Sequence, residues 1–142
     1  HTRFRGVTGV QTCALPILHG DEDEAFIQAF KEKTDVEVWK AVQICSATDA
    51  EAWIDSSADM LLFDAYHKDE RGGTGEVFDW SSLDAFERPF MLAGGIDSTN
   101  VARAIRTVRP YGIDISSGIE TNGMKDDKKI TAFTKIVKSI GR

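Results

Sequence analysis

Three short stretches of this chain set carboxylates, hydroxyls and glycines directly behind apolar runs. They cover residues 60–75 (M-L-L-F-D-A-Y-H-K-D-E-R-G-G-T-G), 90–101 (F-M-L-A-G-G-I-D-S-T-N-V) and 111–121 (Y-G-I-D-I-S-S-G-I-E-T). In the first, Asp64 emerges from Met60-Leu61-Leu62-Phe63. Desolvation at the end of a buried strand favours a neutral carboxyl, the form that a general acid needs. A loop aspartate bonded to backbone amides reads equally well from the same residues. In the second stretch, Gly94 and Gly95 carry no Cβ, so their amides can approach an anion closely. In the third, Asp114 and Ser116 alternate with Ile113 and Ile115 and share one face of a strand. Ser116-Ser117-Gly118 then offers hydroxyls and amides in a turn suited to phosphate, although Asp114 also reads as a buried structural carboxylate. Gly72, Gly73 and Gly75 lie in a polar loop with His67, Lys68 and Arg71 that could close over a ligand as a lid. Glycine clusters of that kind also mark plain turns.

Loops like these act together only if a scaffold brings their ends to one edge, and the patterning describes one. Residues 21–33 carry Ala25, Phe26, Ala29 and Phe30 at helical spacing, with acidic residues in the first turn. Residues 36–42 and 59–63 read as strands, and Thr48-Asp49-Ala50-Glu51 as a capping box opening a short helix through Trp53 and Ile54. The pattern over 79–86 allows another short helix, followed by a strand over 90–93. Ser98 is expected to cap a helix with Val101, Ala104, Ile105 and Val108 on one face. Residues 112–115 form the next strand, and 126–140 the last helix, with Ile130, Phe133, Val137 and Ile140 inward. Alternating strands and helices predict an α/β fold with a parallel sheet. Three polar edges in a row on such a sheet mark where α/β folds bind ligands.

Composition narrows the partners. The chain has 142 residues, 42% apolar and 28% charged, with a net charge of −6. That balance disfavours nucleic acid or an anionic membrane surface as the main partner. No apolar stretch approaches the roughly 20 residues of a membrane span. Cys13 and Cys45 have neither metal-ligand spacing nor the density of a disulfide scaffold, which points to a reducing, cytoplasmic setting.

Residues 1–17 stand apart. H-T-R-F-R-G-V-T-G-V-Q-T-C-A-L-P-I has no secondary-structure period and resembles the translation of a common sequencing-adapter oligonucleotide. The segment is therefore expected to be non-native, with 18–142 the C-terminal part of a single domain.

From Leu18 onward the chain resembles phosphoribosylanthranilate isomerase, the (β/α)8-barrel enzyme of tryptophan biosynthesis. The resemblance rests on L-H-G-D-E-D (18–23), L-L-F-D-A (61–65), G-G-T-G-E-V-F-D-W (72–80), L-A-G-G-I-D-S-T-N-V-A-R-A-I (92–105) and V-R-P-Y-G-I-D-I-S-S-G-I-E-T-N-G-M-K-D (108–126). It implies an Amadori rearrangement of N-(5-phosphoribosyl)anthranilate by general acid–base catalysis, with no metal or organic cofactor. By resemblance Asp64 is the general acid, and Gly94, Gly95, Ser116, Ser117 and Gly118 hold the phosphate. Asp114 and His19 adjoin the rest of the substrate, and Gly72, Gly73 and Gly75 belong to the lid. The implied partner is a small phosphosugar, with the intact parent a monomer or homodimer.

Two departures matter. The family's base is a cysteine in a K-I-C-G motif on the first strand, and no such segment occurs in this sequence. Cys45, in Q-I-C-S, matches no family motif and reads as a small, partly buried thiol. The resemblance runs from the end of strand four to helix eight, whereas an intact barrel takes about 200 residues or more. A barrel cut there exposes strand edges that favour self-association. Two other readings fit the loops: a phosphosugar-binding module without chemistry, and another phosphate-binding barrel enzyme such as a sugar-phosphate epimerase. The expected outcome for the purified chain is marginal stability and no isomerase turnover, which a coupled assay for the rearranged product checks.

Overall fold

A computed structural model of the chain describes residues 15–65 and 79–140. The glycine loop containing Gly72, Gly73 and Gly75 lies outside the described residues.

Five strands form one sheet: β1 (Ile17–Leu18), β2 (Trp39–Gln43), β3 (Met60–Asp64), β4 (Phe90–Ala93) and β5 (Gly112–Ile113). All neighbours are parallel, and the spatial order is the chain order. Between them lie helices α1 (Glu24–Lys33), α2 (Ala47–Glu51) and α3 (Val101–Val108), with a 3-10 turn at Trp80–Leu83. After β5 come a second 3-10 turn (Ser117–Ile119), a hairpin of β6 (Glu120–Thr121) and β7 (Met124–Lys125), and helix α4 (Asp127–Ile140). No described helix is long and apolar enough to cross a membrane.

Period-two alternation divides each strand between two environments. Val42, Leu61, Phe63, Phe90 and Leu92 point into the main core with Ile27, Ala50, Trp80, Leu83, Val101, Ala104, Val108 and Phe133 from the helical layer. Phe63 is fully buried and anchors an aromatic trio, its ring centroid 5.0 Å from those of both Phe86 and Phe90. Ala41, Leu62 and Ala93 project to the opposite face, where they line an open hollow.

Several local expectations shift by a few residues, each for a visible reason. α1 begins at Glu24 because the Asp23 carboxylate accepts the Phe26 amide at 2.9 Å. Its buried residue is Ile27, whereas Phe26 is 47% exposed and stacks on Phe30 at the surface. The cap of α2 is Ser46, with Asp49 accepting from the amides of Ser46 (2.9 Å) and Cys45 (2.7 Å); Thr48 is inside the helix. That turn leaves Cys45 exposed rather than partly buried. Asn100, not Ser98, precedes α3, and the Asp97 carboxylate accepts the Thr99 amide (2.7 Å) and the Asn100 amide (3.2 Å). β5 stops at Ile113, so Asp114 follows the strand, although its amide still bonds Leu92 O at 2.9 Å. In α4 only Phe133 is buried, and Ile130 is 37% exposed. The β6–β7 hairpin was not anticipated from the pattern. Its Asn122-Gly123 turn has φ of 52° and 76°, the left-handed pair that a two-residue hairpin requires.

The adapter-like segment touches the sheet at its end. Ile17 pairs with Trp39 in β1, and Pro16 O accepts the Trp39 amide at 3.0 Å. Parallel pairing uses backbone groups, so an extended Pro-Ile serves whatever its origin.

The amino ends of the strands are held by charge. Lys31 of α1 donates to Asp59 at 2.6 Å and to Ser57 O at 2.8 Å, and the other Asp59 oxygen accepts the Val38 amide at 2.8 Å. Arg88 donates to Ser56 O at 2.6 Å and to Ala58 O. Partial burial pushes the Asp59 carboxyl up, but Lys31, the Val38 amide and Arg88 together hold it below its ordinary value. Glu24 is held down in the same way, with burial outweighed by Ser57, Ser56 and Gln28.

A carboxyl depressed on folding stabilises the fold above its unfolded pKa, and that contribution disappears as pH falls through the folded value. Unfolding monitored by circular dichroism should therefore show stability falling below about pH 4, with Asp59→Asn flattening the decline. Phe63→Ala should cost about 3–5 kcal/mol in urea unfolding at neutral pH.

Candidate active site

The carboxyl ends of β2, β3 and β4 are in register, with Gln43 opposite Asp64 and Asp64 opposite Ala93. Ladder bonds continue one residue further: Ile44 N donates to Asp64 O at 3.0 Å, and Ala65 N to Ala93 O at 3.2 Å. The Asp64 backbone is therefore paired on both sides, which fixes where its half-buried side chain leaves the sheet.

Two hollows meet there. One, of about 800 Å3, is lined by His19, Lys40, Gln43, Trp53, Leu62 and Asp64 among others. The second, of about 320 Å3, lies against Gly94, Gly95, Ser116 and Ser117. Asp64, Ala93 and Asp114 line both, so two carboxylates stand at the junction.

The smaller hollow is made of loop backbone. Gly94 (φ 87°) and Gly95 (φ 60°) are both left-handed, a conformation that a side chain would strain, and Asn100 Nδ2 fixes the turn by donating to Gly95 O at 2.8 Å. Gly118 does not line this hollow, in contrast to the other four residues expected to hold phosphate. It is instead a point of close approach: a Cβ there would stand 2.1 Å from Ile96 O and 3.0 Å from Asp97 Cα. Gly118 thus lets the loops after β4 and β5 lie against each other. Successive amides in such turns make anion-binding concavities.

His19 directly follows β1 and is exposed at the rim of the larger hollow. The loop carrying it is tied down by a buried lysine of β2. Lys40 is only 2% exposed, and its ammonium donates to Gly20 O at 2.6 Å and to Glu22 at 3.1 Å, 5.5 Å from the centroid of the Trp53 ring. Glu22 in turn accepts the Gly20 amide at 2.9 Å, and the Lys40 hydrogen bond draws its carboxyl below the ordinary range. A lysine in a strand reads as solvent-facing, and nothing in V-E-V-W-K-A-V marks this one as buried.

Parallel strands in chain order, helices against one face and a loop-built hollow at the carboxyl edge define a barrel-type β/α scaffold. Comparisons with known proteins narrow the class. The profile of the N-(5'phosphoribosyl)anthranilate (PRA) isomerase family matches residues 11–136, and the chain belongs to that family. The match begins inside the segment 1–17. The isomerase of Endomicrobium trichonymphae is 44% identical over 130 residues, 92% of this chain and 64% of the relative. The chain thus spans just under two thirds of that relative's length. The phosphoribosyl anthranilate isomerase structure from Thermotoga maritima is 34% identical with a TM-score of 0.74, covering 88% of this chain and 62% of that one. A further isomerase structure, in complex with reduced 1-(o-carboxyphenylamino)-1-deoxyribulose 5-phosphate, is 31% identical with a TM-score of 0.69, covering 88% and 59%.

Lys40→Met should speed hydrogen exchange at the Gly20 amide, while amides of the β3–β4 core keep their protection. Gly118→Ala should push the two loops apart and destabilise the chain by about 1–3 kcal/mol, as seen by thermal unfolding.

Proposed function

We propose that this chain supplies the general acid and the phosphate grip of phosphoribosylanthranilate isomerase, the enzyme that rearranges N-(5-phosphoribosyl)anthranilate in tryptophan biosynthesis. The observation that carries this reading is the meeting of the two hollows at Asp64 and Asp114. A sugar phosphate seated with its phosphate against Gly94, Gly95, Ser116 and Ser117 brings its ring toward that junction. Gly118 supports the grip by keeping the two loops together rather than by touching the anion.

Asp64 protonates the ribose ring oxygen, the bond from that oxygen to C1 breaks, and the anthranilate nitrogen takes up the resulting iminium. A base then removes the C2 proton, and tautomerisation of the enolamine gives the ketose phosphate. Asp114 and His19 flank the reacting ring, and the loop with Gly72, Gly73 and Gly75 acts as the lid. The family's base-bearing K-I-C-G motif is absent from this sequence, so this reading assigns the base to a part of the parent preceding β1. On the same reading the five strands are strands four to eight of the barrel, and residues 1–17 are adapter-derived. We infer a cytoplasmic parent acting on a small phosphosugar, monomeric or homodimeric; the Thermotoga maritima isomerase is dimeric.

In a full-length parent, Asp64→Asn should lower turnover by about 10²–10⁴-fold while binding of the reduced ribulose-phosphate analogue persists. An unchanged rate removes Asp64 as the acid.

A further inference from the structure

The smaller hollow poses an electrostatic problem. Among the described residues, its lining includes two carboxylates, Asp64 and Asp114, and no cationic side chain. A phosphate monoester carries about −1.5 to −2 charges near neutral pH, and carboxylates close by repel it. Glycine amides and serine hydroxyls offer dipoles but no full positive charge.

Lys125, on β7, brings one against a lining residue, Ser116. Its ammonium donates to Ser116 O at 3.1 Å and to Ser116 Oγ at 3.2 Å, and Ser116 lines the hollow. The Glu120 carboxylate holds the same ammonium at 2.7 Å, with the lysine side chain 51% exposed. The placement is built into the fold. The Asn122-Gly123 reversal sets Glu120 opposite Lys125. At the base of the hairpin, Asp126 N donates to Ile119 O at 2.8 Å and the Thr121 hydroxyl to Asp126 at 2.7 Å.

We propose that Lys125 is a phosphate-binding residue, delivered by the β6–β7 hairpin to the anion cradled between the loops after β4 and β5. On binding, the ammonium exchanges the Ser116 carbonyl for a phosphate oxygen, keeping Glu120 as its second partner. The inference rests on the phosphate site proposed above and adds its counter-charge.

The test titrates inorganic phosphate into the 142-residue chain by calorimetry, beside Lys125→Met, Lys125→Arg and Lys128→Met. Loss of a charge-assisted bond predicts about tenfold weaker binding for Lys125→Met. The arginine variant should stay within about threefold of the parent chain, and Lys128→Met, a surface control, should bind as the parent does. Glu120→Gln, which releases the ammonium, should tighten binding. Lys125→Met that binds within about twofold of the parent chain, with an unchanged circular dichroism spectrum, overturns the assignment of Lys125 alone. A parent chain that binds no phosphate overturns both this inference and the site on which it rests.

Discussion

Parallel pairing in consecutive order is the constraint from which the rest of the molecule follows. It turns every strand the same way, so the carboxyl ends of β2, β3, β4 and β5 fall on one edge. Side-chain direction has period two, so a slip of one residue in β3 would turn Asp64 toward the helices and Phe63 toward the hollow. The burial of Phe63 against Phe86 and Phe90 resists that slip. The core and the site are therefore two consequences of one register.

The two edges of the sheet do different work. At the amino edge, charged groups bond to one another and to carbonyls: Lys31 to Asp59, Arg88 to Ser56 and Ala58. At the carboxyl edge the polar groups face open hollows lined by His19, Asp64 and Asp114. The Lys40–Glu22–Gly20 clamp stands between these roles. Its lysine is buried, and it holds the loop that follows His19.

Much of this was legible from residue order. β4 has the bounds its pattern suggests, and β3 is displaced from 59–63 by one residue at each end, because unbroken apolar runs after turn residues leave little freedom. Four of the five residues expected to hold phosphate line a single hollow, and their Gly-Gly and Ser-Ser spellings were the signal. The close approach of Gly118 to the Ile96 carbonyl depends on a loop some twenty residues away and has no local trace in the sequence. The α1 stripe failed for a similar reason, since Phe26 and Ile27 are both apolar and only the neighbouring elements decide which is buried. Lys40 was illegible because its partners, Gly20 and Glu22, are distant in sequence. The β6–β7 hairpin has a local signal in Asn122-Gly123, the pair that a two-residue hairpin turn favours.

The central claim is that the loops after β4 and β5 grip a phosphate ester beside Asp64. A crystal structure of this chain soaked with the reduced ribulose-phosphate analogue addresses it most directly. The account predicts phosphate density between the Gly94-Gly95 turn and Ser116-Ser117, with the ribulose chain pointing toward Asp64. Ordered ligand anywhere else, or phosphate seated away from those amides, would contradict it.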